Sequence, residues 1–600
     1  MFQRFADSTS PDQGPPRLAA LRGVMRAQGI DGYLIPRADA HQGEYVAPCD
    51  ARLAWLTGFS GSAGFACVLP DIAGVFIDGR YRVQVRDQVA ADFTPVHWPE
   101  IQLADWLIER LTGGAKVGFD PWLHTAREVN DLRAALAPKG IQLVAHANLV
   151  DAIWQDRPAP PMAAFTAYRD DLAGKSHAAK RAELAQGLTH AGDMVTVLTL
   201  PDSIAWLLNI RGTDVERNPV PHAFALLHND GFVDLFARAG KAEGIACHLG
   251  PDVRLHDEIA FLDALATLSG PVRIDTKTAP QIVADALDQA GIQTRNDSDP
   301  CLLPKAIKTS AEIAGARAAH LRDGAAMVNF LAWLDVQAPK GTLTEIDVVK
   351  SLEGFRRATN ALLDISFETI SGAGEHGAVV HYRVTESTNR PVRAGELLLV
   401  DSGGQYIDGT TDITRTMAIG AASDEHRACF TRVLQGMIAI SRARFPKGVT
   451  GAHLDALARY PLWLAGMDYD HGTGHGVGAY LSVHEGPQGI SRRAAPVPLE
   501  SGMILSNEPG YYREGAFGIR IENLITVIPA PALQGADARE MLAFDTLTFV
   551  PIDRRLIDVT RLSNDERDWI DRYHADTVAQ IGPRVDADAL VWLEKACAPL

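Results

Sequence analysis

Leu397-Leu398-Leu399-Val400-Asp401-Ser402-Gly403 and Asp412-Ile413-Thr414-Arg415-Thr416-Met417 set one acid at the end of an apolar run and another at the start of the next. Residues 397–400, 413–419, 503–505 and 519–527 all read as strands, being short and β-branched between Gly and Pro. Two further acids fall in the same way. Glu508 follows Met503-Ile-Leu-Ser-Asn507, and Glu522 sits inside Gly518-Ile-Arg-Ile-Glu-Asn-Leu-Ile525. An ionised carboxylate in a buried strand is prohibitively desolvated unless a cation meets it. Any one such acid is more often a strand-end residue facing solvent or an Asx-turn. Four of them in one domain shift the balance toward a cation site.

Histidines gather in the same region, as His471-Gly472-Thr473-Gly474-His475 and Val483-His484-Glu485-Gly486-Pro487. His471 and His475 are four apart, but Gly-Thr-Gly between them disfavours a helix, so this is not the helical H-E-x-x-H zinc motif. The glycines let backbone approach a site closely. Four carboxylates and an imidazole around one point suit a pair of divalent ions. Oxygen-rich ligation favours Mn²⁺, with Co²⁺, Fe²⁺ or Zn²⁺ as alternatives. Two such ions sharing carboxylates would lower the pKa of a water held between them and supply hydroxide near neutral pH, which is machinery for hydrolysis.

Two other motifs are set aside. Gly372-Ala373-Gly374-Glu375-His376-Gly377 matches G-x-G-x-x-G, but residues 378–384 read as strand where dinucleotide binding needs a helix. No G-x-S-x-G elbow occurs, which weakens a serine hydrolase reading.

Outward from this core, 600 residues at roughly 150 per domain suggest three or four domains. The 57 basic and 74 acidic residues leave a net charge of −17, which argues against nucleic acid or an anionic membrane as partner. Six scattered cysteines without a C-x-x-C pair read as small buried hydrophobes in a reducing compartment. Neither a signal peptide nor an uncharged apolar run near 18 residues is visible, so a cytoplasmic protein is expected.

Ala54-Trp55-Leu56 is echoed by Ala205-Trp206-Leu207, and strand-like runs follow both, at 64–69 and 75–78 and at 223–227 and 232–236. This reads as two related α/β domains in tandem. Proline-rich 155–161 and polar 296–300 mark linkers. Thr309-Ser310-Ala311-Glu312 has capping-box spacing ahead of a helical pattern over 313–334. A helix is expected over 424–444, a strand over 547–552 and a helix over 564–581. The expected domains are 1–157, 158–305 and 306–600, with a C-terminal extension from about 540.

Asp401, Asp412, His475, Glu508 and Glu522, in the strings Val-Asp-Ser-Gly, Asp-Ile-Thr-Arg-Thr, Gly-Thr-Gly-His-Gly-Val-Gly, Ser-Asn-Glu-Pro-Gly and Ile-Arg-Ile-Glu-Asn, resemble the five-ligand dimetal site of the pita-bread metallopeptidases. Val380-His381-Tyr382, His471 and Val483-His484-Glu485-Gly-Pro look like the added histidines of the aminopeptidase P branch. Chain length and the 547–552 stretch look like its long, three-domain form. The resemblance implies an α/β (α+β) chain: two tandem creatinase-like N-terminal domains, then a pita-bread catalytic domain.

It further implies that Asp412 and Glu522 bridge two metals, with Asp401 terminal on one and His475 and Glu508 on the other. A metal-bridging hydroxide would attack the carbonyl preceding a proline. Glu508 would take the water proton and pass it to the leaving imino nitrogen. His381 and His484 would steady the developing oxyanion or the proline-side carbonyl, and His471 would line the proline-side pocket. The X-Pro bond carries no N–H, so recognition must come from ring shape and flanking carbonyls. Strand alternation independently sets Arg520 on the face of Glu522, so that its guanidinium would hold that carboxylate.

Substrates would be peptides with a penultimate proline, and a homodimer is the family expectation. Arg80 is a candidate for reaching across to a second copy. The competing readings are a prolidase, which needs a group to cap its substrate's C-terminal carboxylate, and a metal-free pita-bread binding module. The complete ligand set speaks against that module, and also against creatinase, which lacks the metal ligands.

Overall fold

The computed structural model describes residues 1–600. They form two compact units, Ser8–Leu302 and, with Met1–Asp7, Leu303–Leu600.

The first unit holds two six-stranded sheets. One runs, edge to edge, Thr94–His97, Ala73–Ile77, Phe65–Val68, Gly32–Pro36, Lys116–Phe119, Gln142–Ala145. The other runs Val253–Asp257, Val233–Ala237, Phe224–His228, Val195–Leu198, Val272–Ile274, Thr294–Asn296. The order of chain segments is the same in both. So is the pairing, which goes parallel, antiparallel, antiparallel, parallel, parallel. The Ala-Trp-Leu echo falls on the matching helices Arg52–Thr57 and Pro201–Leu208. The tandem duplication expected from a single tripeptide echo is therefore present in the topology.

The second unit opens as its cap spacing predicts. Thr309 accepts the Glu312 amide, Glu312 returns to the Thr309 amide, and the helix Ser310–Gln337 follows. Four antiparallel sheets then form, and two of them carry the acids. The smaller joins Ile370–Ala373, Leu397–Ser402 and Ile413–Ala418. The larger runs Arg444–Pro446, Met541–Thr546, Asn523–Pro529, Ile504–Asn507, Gly474–Gly476, Glu485–Ile490. The helix Asp424–Ser441 lays Phe430, Val433, Leu434 and Met437 onto Ile519, Ile521 and Tyr573. Burying side chains of this size is worth about 1.5–3 kcal/mol each, which fixes the strands behind the acids.

Three elements differ from the sequence reading. The expected strand 519–527 is two strands, Phe517–Arg520 and Asn523–Pro529, which pair with different partners. The break falls at Ile521 and Glu522, so alternation cannot be carried across it. Residues 378–384 form no strand. A 3₁₀ turn, Gly374–Ala378, folds the chain back so closely that a Cβ on Gly372 would lie 2.7 Å from the Gly377 nitrogen. The strand expected over 547–552 lies earlier, at Met541–Thr546, because the Thr548, Val550 and Pro551 carbonyls accept from side chains instead of a ladder. The helices Asp424–Ser441 and Asn564–Ile581 are present, and Ala587–Ala596 adds one the periodicity did not flag. Five cysteines are buried, but Cys247 is exposed. No helix is long and apolar enough to cross a membrane.

Candidate metal centre

The smaller sheet supplies Asp401 inside the strand Leu397–Ser402 and Asp412 just before Ile413–Ala418. The larger supplies His475 from Gly474–Gly476 and Glu508 just past Ile504–Asn507. Glu522 comes from the break between two strands. Asp401, Asp412 and Glu522 each place a ligand atom within 4.8 Å of the others. So do His475, Glu508 and Glu522, and so do Asp412, His475 and His484. The three groups overlap in Asp412, Glu522 and His475, so the four acids and the His475 imidazole surround one site with His484 at its edge.

The close approach of strands here depends on glycine. A Cβ on Gly474 would lie 2.0 Å from the Ser506 carbonyl oxygen, and one on Gly476 would lie 2.3 Å from that of Glu485. The loop before them is held from the helix Gly451–Trp463, where Arg459 pairs with Asp455 at 2.7 Å and donates to the His471 carbonyl at 2.7 Å. Thr473 donates to Asp455 at 2.7 Å, and its carbonyl accepts the Glu508 amide at 2.8 Å.

Asp401, Asp412 and Glu522 are 8%, 4% and 1% exposed, yet Asp401 Oδ1, Asp412 Oδ1 and Glu522 Oε1 have no hydrogen-bond partner. Burial, with Asp401 and Glu508 beside it, pushes the Asp412 carboxyl up to about 6, although His475 opposes this. Burial and the same crowd of acids hold Glu522 well above the ordinary carboxylate range. Burial works against protonation of His475, but Asp412 and Glu508 outweigh it and lift that imidazole to about 9. A metal-free cluster is thus frustrated, and cations relieve it. The donors are carboxylate oxygens and imidazole with no thiolate, which fits hard-to-borderline divalent ions. His475 Nδ1 donates to the Gly476 carbonyl at 2.9 Å, which leaves Nε2, 3.5 Å from Asp412 and 3.4 Å from Glu508, as the nitrogen available to a metal.

Arg520 corrects one expectation. Its guanidinium holds Asp401, not Glu522, with Nη2 at 2.6 Å from Oδ2. Glu522 is held instead by Thr414, which donates to Oε2 at 2.8 Å. Thr414 and Tyr512 escaped the sequence reading. Alternation from Asp412 puts Thr414 on the site face, so that signal existed. Nothing local marks Tyr512. Its hydroxyl accepts from Arg520 at 2.5 Å and donates to His471 Nε2 at 2.9 Å, the tautomer being set by the Nδ1 donation to the Gly472 carbonyl at 2.7 Å. Burial pushes Tyr512 up to about 12, so it stays a donor.

His471 therefore joins the site through Tyr512 and Arg520. The His484 ring lies 4.3 Å from that of His475. His381 stands in the loop between Val380, whose carbonyl accepts from Arg520 at 3.3 Å, and Tyr382, whose hydroxyl donates to Glu345 at 3.0 Å. Beside His484, Glu485 is clamped in full burial by Lys308 and by Lys305, the latter at 3.3 Å. Arg80, in the other unit, pairs with Asp78 at 2.6 Å.

Residues 314–529 match metallopeptidase family M24, and residues 540–600 match the C-terminal region of that family. Residues 17–153 and 156–312 each match the creatinase/prolidase N-terminal domain. Fold and site together define a pita-bread metallopeptidase with two creatinase-type domains ahead of it. The chain is 39% identical to the probable Xaa-Pro aminopeptidase P of Laccaria bicolor, over 99% of this chain and 95% of that one, and 40% identical to aminopeptidase P2 of Arabidopsis thaliana, over 97% and 88%. A crystal structure of X-prolyl aminopeptidase from Caenorhabditis elegans, described as a cytosolic enzyme with a di-nuclear active site, is 34% identical and superposes with a TM-score of 0.94 over 98% of this chain and 99% of that one. The chain belongs to the Xaa-Pro aminopeptidase P family.

Proposed function

We propose that the enzyme removes the N-terminal residue from peptides whose second residue is proline, with two divalent ions held by Asp401, Asp412, His475, Glu508 and Glu522. The observation that carries this reading is the trio of buried, partnerless carboxylate oxygens on Asp401, Asp412 and Glu522. Asp412 and Glu522 are the two acids that each belong to two of the three ligand groups, which supports them as the bridging pair. Mn²⁺ is the ion that the oxygen-rich donor set favours. When bound, the pair supplies an acidified water for attack on the carbonyl before proline.

The chain's own residues do the rest. Glu508 takes the water's proton and delivers it to the departing imino nitrogen; the Ser506 hydroxyl, donating to its Oε1 at 3.2 Å, aims the carboxylate. His484, at the edge of the cluster, and His381 donate to the oxygen on which charge develops. His471, fixed by Tyr512, lines the pocket for the proline side. Arg520 holds one oxygen of Asp401 and leaves the other turned toward the metals.

We place the enzyme in the cytoplasm, as its nematode relative is described. We also propose that it works as a homodimer. Leu457, Tyr460, Trp463 and Leu464, at helical spacing on and just past Gly451–Trp463, are large and exposed, the last at 72%. The deciding experiment is a Mn²⁺ titration of Arg-Pro-Pro peptide cleavage, run beside an X-Pro dipeptide. Preference for the longer peptide supports the aminopeptidase over a prolidase. A purified protein that binds no divalent ion, or an Asp412→Ala variant that cleaves normally, overturns the reading.

A further inference from the structure

Arg415 follows Thr414 on the strand Ile413–Ala418, so its side chain leaves the face opposite the metal cluster. It is 2% exposed, and each of its hydrogen-bond partners is neutral. Nη1 donates to the carbonyls of Thr414 at 2.9 Å and Glu522 at 2.6 Å. Nη2 donates to Asn523 Oδ1 and the Val550 carbonyl, both at 2.8 Å, and to the Tyr573 hydroxyl at 2.9 Å. Nε donates to the Pro551 carbonyl at 3.0 Å.

A buried guanidinium without a carboxylate is an expensive way to fill space, and an apolar side chain would pack at lower cost. What it achieves here is specific. Glu522 lies in the break between two strands, where its carbonyl has no ladder partner. One nitrogen of Arg415 takes that carbonyl together with the carbonyl of Thr414, the residue whose hydroxyl holds the Glu522 carboxylate. Both backbones that set the direction of Glu522 are thereby pinned to one rigid fork.

Half of the fork's partners come from beyond residue 540. Tyr573, on the helix Asn564–Ile581, also accepts the Val550 amide at 3.1 Å, and its ring stacks on Trp569 with centroids 5.2 Å apart. We propose that Arg415 is a positioning residue for Glu522, and that the C-terminal region serves the metal centre by supplying Val550, Pro551 and Tyr573 to hold Arg415. This rests on the dimetal reading of the site, and it gives the 540–600 region a part in catalysis.

The test compares Tyr573→Phe and Arg415→Lys with a control, Trp592→Phe. The control removes a different hydrogen bond of the same region, Trp592 Nε1 to Asp335 at 2.8 Å, and leaves Arg415 untouched. Mn²⁺ affinity is measured by calorimetry on folded protein well below each variant's Tm, and kcat and KM on an X-Pro-Y peptide at saturating Mn²⁺. Loss of an outer partner of a metal ligand costs about 10–100-fold in affinity or activity, so Tyr573→Phe and Arg415→Lys should fall in that range, through Mn²⁺ affinity and kcat with KM little moved. Trp592→Phe should lower Tm alone. The proposal is overturned if Tyr573→Phe binds Mn²⁺ and turns over as the unaltered enzyme does, or if Trp592→Phe loses as much. Should Arg415→Lys fail to fold, Tyr573→Phe decides. An unaltered enzyme that binds no Mn²⁺ would instead sink the dimetal reading itself.

Discussion

Arg520 donates twice to a single oxygen of Asp401, from Nη2 at 2.6 Å and Nε at 3.2 Å to Oδ2, and leaves Oδ1 with no hydrogen-bond partner. One oxygen of the carboxylate is thus occupied and the other is reserved. A lysine carries the same charge but cannot make the fork. Arg520→Lys should therefore lose about 10–100-fold in kcat/KM while remaining folded. Steady-state kinetics with circular dichroism of the same sample check this, and unchanged kinetics would refute it.

Metal binding should release protons. In the metal-free site His475 is lifted to about 9, so at pH 7 it holds a proton that ligation must displace. Affinity for Mn²⁺ should rise as pH goes from 6 to 8. Calorimetry in two buffers of different ionisation enthalpy should then give different apparent heats; identical heats would contradict it. Chelation should abolish cleavage, and added Mn²⁺ should restore it.

The Lys305–Glu485–Lys308 group makes a stability prediction. Glu485→Gln leaves two buried ammonium groups facing a neutral amide, and breaking a buried pair costs about 3–5 kcal/mol. Lys305→Met keeps a one-to-one pair and should cost clearly less. Urea midpoints would show the difference, and equal shifts would contradict it.

His574 makes a pH prediction. Its Nε2 accepts the Ile552 amide at 3.1 Å, and burial, helped by Arg554 and Arg415, holds its pKa down at about 4. An unfolded histidine titrates near 6.5, so between the two values the unfolded chain binds a proton the native chain refuses. This residue's contribution is complete above pH 6.5 and is lost as pH falls toward 4. His574→Gln should remove up to about 1.4 kcal/mol per pH unit from the pH dependence across that window. Melting temperatures at pH 7.5 and 5 measure it, and parallel changes in the two proteins would contradict it.

What could be read from sequence were the features with local causes. The capping box at Thr309 is a short-range hydrogen-bond pattern, and the acids at strand ends announce themselves through desolvation. The partner of Arg520 lies 119 residues away and depends on a break in a strand that looks continuous in apolar pattern. The strand at Met541–Thr546 and the extended run after it are equally apolar; which of them joins a sheet is decided by Arg415 and Tyr573, far off in the chain. Tyr512 is of that kind too. It matters because its hydroxyl joins Arg520 to His471, 41 residues away, not because of its neighbours.

The twin sheets of the first unit pose a hazard during refolding. Two successive stretches with one strand order offer each other near-equivalent mates, and exchanged pairing is a characteristic failure of tandem copies. Here matching strands differ in sequence, as Ala73-Gly-Val-Phe-Ile77 does from Val233-Asp-Leu-Phe-Ala237, so a strand from one copy presents the wrong side chains to the other. Divergence has become insulation, letting two look-alike halves assemble side by side without trading parts.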